Sequence, residues 1–174
     1  MQTITVNAST PYPVHIGPGL LERAGELIAG ATKSRTCAVI TDTTVEKLYA
    51  AAVCRSLQEA GFRVCLHAFP AGEQSKNLGT FGGMLEFLAE NKLTRSDFVV
   101  ALGGGVTGDM AGFAAAAYQR GIDYIQMPTT FLAASDSSVG GKTAIDLAAG
   151  KNLAGAFHQP DMVICDTDTF RTLP

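Results

Sequence analysis

Four cysteines and three histidines, with no close pairing among them, leave this chain without a recognisable metal site of its own. Cys37, Cys54, Cys65 and Cys165 show no C-x-x-C spacing. Three of them fall in apolar runs that read as strands, so buried free thiols are the expectation. His15, His67 and His158 are equally dispersed. The 13 basic residues are scattered against 16 acidic ones, for a net charge of -3, which gives no electrostatic footprint for nucleic acid. No apolar run approaches membrane-spanning length, and Met1-Gln-Thr-Ile-Thr-Val-Asn-Ala8 lacks the basic start and apolar core of a signal peptide. A soluble, cytoplasmic protein with no membrane partner is expected. Internal repeats, low-complexity tracts and flexible linkers are also missing. What remains is 174 residues, 47% hydrophobic and 17% charged, enough to bury one core in a single domain over 1–174.

The apolar pattern predicts an alternating α/β chain. Thr3–Val6 and Tyr12–Ile16 flank a turn and suggest an opening β-hairpin, followed by a helix over Leu20–Ala29 with Gly30 at its C-cap. Cys37–Ile40, Val45–Ala60 and Phe62–Leu66 then read as a βαβ unit. A second helix carries Leu78, Phe81, Leu85 and Leu88 on one face and leads to the strand Phe98–Leu102. A glycine turn, an alanine-rich helix to about Gln119 and the strands Tyr124–Met127 and Met162–Cys165 complete the pattern. The implied fold is Rossmann-like: a mostly parallel sheet with helices on both faces, preceded by a short β-hairpin. Between Met127 and Met162 little periodicity is visible, which predicts a long functional loop.

Ligands of such sheets gather at the carboxyl ends of the strands. Those positions carry Asp42-Thr-Thr44, Pro70-Ala-Gly-Glu-Gln-Ser-Lys76, Gly103-Gly-Gly-Val-Thr-Gly-Asp109 and Pro128-Thr-Thr130. Gly103, Gly105 and Gly108 fit G-x-G-x-x-G between a strand and a helix, where glycines and a helix N-terminus can receive a pyrophosphate; a merely tight turn is the alternative. The usual companion acid is missing. Asp123 precedes its strand and so sits at the wrong edge, which leaves Asp42 or Glu73 to hold a ribose. Asp109 reads either as a first-turn acid stabilised by the helix dipole or as a functional group. Ser135–Thr143 ends in Gly-Lys-Thr like a nucleotide triphosphate loop, but Asp136 stands where that loop needs its first glycine. Lys142 follows Gly140-Gly141, and Lys151-Asn152 follows Gly150. Two cations and an amide suit a substrate with a carboxylate or phosphate and several hydroxyls.

Longer motifs sharpen this. Gly103-Gly-Gly-Val-Thr-Gly-Asp-Met-Ala-Gly-Phe113, Pro128–Asp146, Gly150-Lys-Asn-Leu153, Phe157-His-Gln-Pro160, Glu73-Gln-Ser-Lys76 and the closing Thr172-Leu-Pro174 resemble 3-dehydroquinate synthase along the whole chain. The resemblance implies conversion of 3-deoxy-D-arabino-heptulosonate 7-phosphate to 3-dehydroquinate and phosphate with catalytic NAD. It also implies a homodimer and a divalent metal, zinc or cobalt, whose ligands belong to a C-terminal helical domain outside this sequence, so the chain alone is expected to be inactive and, with half of its contacts gone, partly mobile over Ser135–Phe157. Carried over by position, the implied NAD contacts are Asp42, Glu73, Gln74, Ser75, Lys76, Gly104, Gly105, Val106, Thr107, Gly108, Asp109, Thr129, Thr130, Lys142, Lys151, Thr169, Phe170, Arg171 and Thr172. The implied substrate contacts are Arg120, Asp136, Lys142 and Asn152. A related sugar-phosphate cyclase, an iron-dependent polyol dehydrogenase or a non-enzymatic NAD-binding module are the rival readings.

Overall fold

The computed structural model describes residues 1–173; Pro174, the last letter of the closing motif, lies outside them. Gln2–Val6 (β1) and Tyr12–Gly17 (β2) form the expected antiparallel hairpin, in register from Gln2↔Ile16 to Val6↔Tyr12. A 3-10 turn, Leu21–Arg23, leads into the short helix α1, Ala24–Ala29. Thr36–Asp42 (β3) follows. The helix after it is continuous but has a π-helical middle: α2 covers Thr43–Val45, the π segment Glu46–Ala50, and α3 Ala51–Glu59. Next come β4 (Arg63–Phe69), α4 (Leu78–Glu90), β5 (Phe98–Gly103), α5 (Gly105–Ala117) and β6 (Asp123–Pro128). The chain ends with β7 (Lys142–Leu147), β8 (Gly150–Phe157), β9 (Met162–Asp166) and a 3-10 segment, Thr167–Thr172.

Seven strands make one sheet in the order β1-β2-β9-β6-β5-β3-β4, parallel throughout except for the β1–β2 pair. Central strands buried on both faces must be apolar along their whole length, and β5, Phe-Val-Val-Ala-Leu-Gly, is buried at every position. One face packs Cys37, Val39, Val100 and Leu102 against Ile28, Val53 and Leu57 of α1 and α3. The other packs Ala38, Ile40, Val99 and Ala101 against α4 and α5 through Met84, Leu88, Met110 and Ala114. The Rossmann-like expectation is met. All four cysteines are free, and burial pushes the Cys37 thiol up to about 12. Among the described residues no helix is long and apolar enough to cross a membrane.

The connection pattern places the site. From β3 the chain moves outward to β4, then crosses back so that β5 lies on the opposite flank of β3. Connections that leave adjacent strands in opposite directions open a crevice at their carboxyl ends, here between Asp42 and Gly103.

The stretch expected to be a long loop is corrected by the structure. Ala133–Ser137 is a π turn, and β7 and β8 pair antiparallel as a separate two-stranded sheet, in register from Lys142↔Phe157 to Leu147↔Gly150. Thr143 and Ile145 point inward from β7 onto α5, so the short alternation Lys-Thr-Ala-Ile-Asp is a real strand signal diluted by glycine and polar neighbours. α5 is thereby covered by the large sheet on one side and the hairpin on the other. A helix enclosed in this way cannot be amphipathic, and Gly-Phe-Ala-Ala-Ala-Ala suits it because small side chains admit both layers. A Cβ on Gly112 would stand 2.6 Å from Thr143 Cγ2 and 3.0 Å from Tyr124 Cε2.

Gly112→Leu tests this packing. Helix propensity alone favours leucine over glycine by nearly 1 kcal/mol, so any loss of stability measures overpacking. The variant is expected to lose about 1–3 kcal/mol in denaturant unfolding. Amide exchange in β7 and β8 should rise before that of β3 and β5; a variant as stable as the parent would show that the helix has spare room.

Candidate active site

The glycine turn is tight because of what surrounds it. β5 ends at Gly103, Gly104 is the extended N-cap of α5 with no side-chain cap, and the first intrahelical bond runs from Gly108 N–H to Gly104 C=O at 3.0 Å. The N–H groups of Gly105, Val106 and Thr107 therefore have no intrahelical acceptor and sit at the positive end of the helix dipole. None of these glycines has a positive φ. They are needed for space: a Cβ on Gly103 would lie 2.4 Å from Thr107 Oγ1, and one on Gly108 2.7 Å from Gln126 Oε1.

A cavity of about 360 Å³ opens over this turn, walled by Asp42, Gly104 to Thr107, Thr129, Thr130 and Thr172. Asp42 caps the helix after β3, its Oδ1 accepting from the N–H of Thr44 at 2.9 Å and of Val45 at 3.0 Å. Its Oδ2 faces the Thr107 hydroxyl at 3.5 Å and keeps accepting capacity for a ligand hydroxyl. Thr129 N–H donates to Gly103 C=O at 2.9 Å, and Thr130 Oγ1 accepts from Ala133 N–H at 3.2 Å, so both threonines also fix the turn beneath the π segment. The closing 3-10 segment forms the outer wall. Tyr49 donates to Thr169 C=O at 3.2 Å and meets the Thr172 hydroxyl, Phe170 packs edge-on against Phe131 at 6.0 Å, and the exposed Arg171 pairs with Asp168 at 3.2 Å. The Thr169 hydroxyl donates to Asp166 C=O at 2.7 Å.

A second cavity, of about 480 Å³, lies between α5 and the hairpin and is lined by Asp109, Asp136, Ser137, Lys142, Asn152 and Phe157. The N-terminal turns of α5 form a wall common to both spaces, since Gly105 abuts Ser137 and Asp109 reaches the second cavity. The helix starts at Gly105, so Asp109 is its fifth residue and not a first-turn acid. Instead its Oδ2 accepts from Lys76 Nζ at 2.5 Å. Burial raises the Asp109 carboxyl above its ordinary value and the Lys76 hydrogen bond and charge oppose that rise, with Glu73 adding to it.

The structure separates residues that the sequence grouped. Glu73 does not join Asp42; it pairs with Lys151 at 2.9 Å on an exposed rim, where its hydrogen bond and charge hold the Lys151 ammonium above its usual range. Gln74 donates to Ala71 C=O at 2.9 Å and Ser75 to Pro70 C=O at 2.5 Å, so both shape the loop after β4. Arg120 is not brought to either cavity. It follows the C-terminal end of α5, beside the edge where β6 begins, on consecutive left-handed residues Gln119 (φ 49°) and Arg120 (φ 69°). Sequence reasoning missed Leu48, Tyr49, Ser137 and Phe157 as wall residues. Phe157 stood in the motif Phe157-His-Gln-Pro160, but its 90% exposure is set by the fold and left no signal in the sequence.

Among the described residues no three His, Cys, Asp or Glu side chains converge where they could hold a metal ion.

Comparison with known proteins places the chain in a family. The family described as 3-dehydroquinate synthase N-terminal matches residues 66–174. A 3-dehydroquinate synthase of Enterococcus faecalis is 51% identical over 98% of this chain and 48% of its own length. The chain thus spans about half the length of the curated relatives it matches. A crystal structure of 2-deoxy-scyllo-inosose synthase, complexed with carbaglucose-6-phosphate, NAD+ and Co2+, superposes with a TM-score of 0.91 at 32% identity, over 99% of this chain and 47% of that one. The 2-epi-5-epi-valiolone synthase of Streptomyces hygroscopicus subsp. jinggangensis, with NAD+ and Zn2+ bound, gives 0.83 at 28% identity, over 98% of this chain and 47% of its own. The match runs through the loop after β4, the glycine turn, the hairpin and the closing segment, and with it this chain belongs to the 3-dehydroquinate synthase N-terminal family.

Proposed function

We propose that the chain is the NAD-binding half of a 3-dehydroquinate synthase, which converts 3-deoxy-D-arabino-heptulosonate 7-phosphate to 3-dehydroquinate and phosphate. The observation that carries this reading is the junction of two cavities at one helix N-terminus, one over the glycine turn and one lined by Asp136, Lys142 and Asn152. The uncapped N–H groups of Gly105 to Thr107 receive the pyrophosphate, and the free oxygen of Asp42 accepts from a ribose hydroxyl. Bound NAD+ supplies a reversible hydride acceptor that makes a C–H next to the oxidised carbinol acidic enough for phosphate to be eliminated.

The protein's own groups orient the sugar acid. Lys142 and Asn152 offer donors to its anionic and carbonyl oxygens, while the Asp136 carboxylate accepts from its hydroxyls. The divalent metal of the structural neighbours has no ligand set among the described residues. On this reading the 174 residues bind NAD+ without turning over the sugar phosphate. The 51% identity to a 3-dehydroquinate synthase, against 32% to the inosose synthase, favours the dehydroquinate branch over a related cyclase.

Calorimetry of the purified chain with NAD+ is expected to give one site per chain. Free NAD+ at ~100 times its Kd should raise unfolding stability by about 2.7 kcal/mol. No heat and no stabilisation at millimolar NAD+ would overturn the reading.

Val106 lines the cavity over the turn and also packs against the α4–α5 cluster, so Val106→Glu tests cofactor binding with the stability of the ligand-free chain measured beside it. An acid in the first helical turn is favoured by the dipole at about 0.3–1 kcal/mol, yet here it would occupy the phosphate side of the turn. NAD+ affinity should drop by at least ~10-fold, or about 1.4 kcal/mol, beyond the modest fall in melting temperature that the lost apolar packing of Val106 brings to the ligand-free chain. Unaltered affinity would place the phosphates elsewhere.

A further inference from the structure

Lys76 differs from every other lysine around the two cavities. Its side chain is only 6% exposed, whereas that of Lys151 is 70% exposed. Its Nζ lies 2.5 Å from Asp109 Oδ2 and 2.6 Å from Asn152 Oδ1. An ammonium has three donors and no lone pair, so the amide atom that faces it must be oxygen, and the orientation of the Asn152 carboxamide is fixed by chemistry.

Lys76 and Asn152 are also tied through Asp146. Lys76 C=O accepts from Asp146 N–H at 2.9 Å, and Asp146 Oδ1 accepts from Asn152 N–H at 2.7 Å. Asn152 is left-handed, with φ of 56°, a conformation that asparagine tolerates better than most residues and that this pair of bonds stabilises. The tip of the hairpin is therefore anchored to the loop after β4 and to α5 at one buried cation.

We infer that Lys76 is a positioning residue, whose enclosed ammonium ties Asp109 on α5 to Asn152 on the hairpin and fixes Asn152 as a one-way hydrogen-bond donor toward the substrate cavity. With Oδ1 held by Lys76, the amide group available to a ligand is Nδ2, which donates to no protein atom among the described residues. The cavity then offers the Lys142 ammonium and the Asn152 N–H groups as donors and the Asp136 carboxylate as acceptor. Its complement is a polyhydroxy anion that turns a carboxylate, carbonyl or phosphate oxygen toward Asn152 and a hydroxyl toward Asp136. This deepens the proposed function and rests on the second cavity being the substrate side.

Removing Lys76 alone would strand a half-buried carboxylate, so the test uses Lys76→Met together with Asp109→Asn, which deletes both charges and keeps the volume. Nitrogen-15 relaxation of side-chain carboxamides in the 174-residue chain reads the clamp directly and needs no ligand. Asn152 is expected to be ordered in the parent and to fall into the flexible range, below about 0.6 in order parameter, in the double variant. Asn77, whose Nδ2 donates to Gln74 C=O at 2.8 Å, and Asn91, whose Nδ2 donates to Phe87 C=O at 2.9 Å, are internal controls and should not change. An Asn152 that stays ordered, or three carboxamides that loosen together, would overturn the clamp. NAD+ calorimetry on the parent sample fails or succeeds independently, so the loss of one reading does not carry the other with it.

Discussion

Helix α5 has to be thin. It is enclosed between the seven-stranded sheet and the β7–β8 hairpin, and Gly108 and Gly112 bring Gln126, Tyr124 and Thr143 to within contact of its backbone. If the helix carried ordinary side chains along those faces, the hairpin would be pushed outward and Lys142 and Asn152 would leave the cavity they share with Asp109 and Asp136. The glycine turn at its N-terminus obeys the same demand. Its residues are small because Thr107, Thr130 and Gln126 crowd them, and the backbone angles themselves would suit other residues. Sequence fingerprints of this kind record a distance between layers as much as a contact with a phosphate.

Charge follows from that geometry. Bringing the hairpin down on α5 buries a lysine, and a buried ammonium is tolerable only when its donors are taken up. Asp109 and Asn152 do this for Lys76, whereas Lys151 and Glu73, on the rim, meet in solvent. Pairs that look alike in sequence, each a lysine near an acid, thus divide into an internal fastening and a surface contact worth little to stability.

Much of the fold was legible in the sequence, because strands buried on both faces must be continuous apolar runs and α1 and α3 stop at Gly30 and Gly61. The positions of Asp42, Gly104 to Thr107, Thr129 and Thr130 around one crevice followed from that pattern. The hairpin was not legible: only Thr143 and Ile145 mark its inner face, and glycines at 140, 141 and 150 mimic a loop. Nor was the inward turn of Lys76, since a lysine's exposure depends on partners 33 and 76 positions away along the chain. The π segment at Glu46–Ala50 left no trace either, as one extra residue in a helical turn barely disturbs the periodicity while turning Leu48 and Tyr49 toward the cavity. Arg120 shows the opposite limit: a motif match names the residue, and topology alone tells which edge of the sheet carries it.

The strand order also sets a timetable for assembly. β9 follows all the other strands of this sequence, yet it lies between β2 and β6, pairing with both. Asp166 at its end then accepts from the N–H groups of Gly19 at 3.0 Å and Leu21 at 2.9 Å, 147 and 145 positions earlier. Until the ribosome has released residues 162–166, the opening hairpin has no strand to dock on and β6 presents a bare edge. Between the synthesis of residue 128 and that of residue 166 the nascent chain therefore carries an unpaired sheet edge, a window in which a chaperone or a neighbouring nascent chain can reach it.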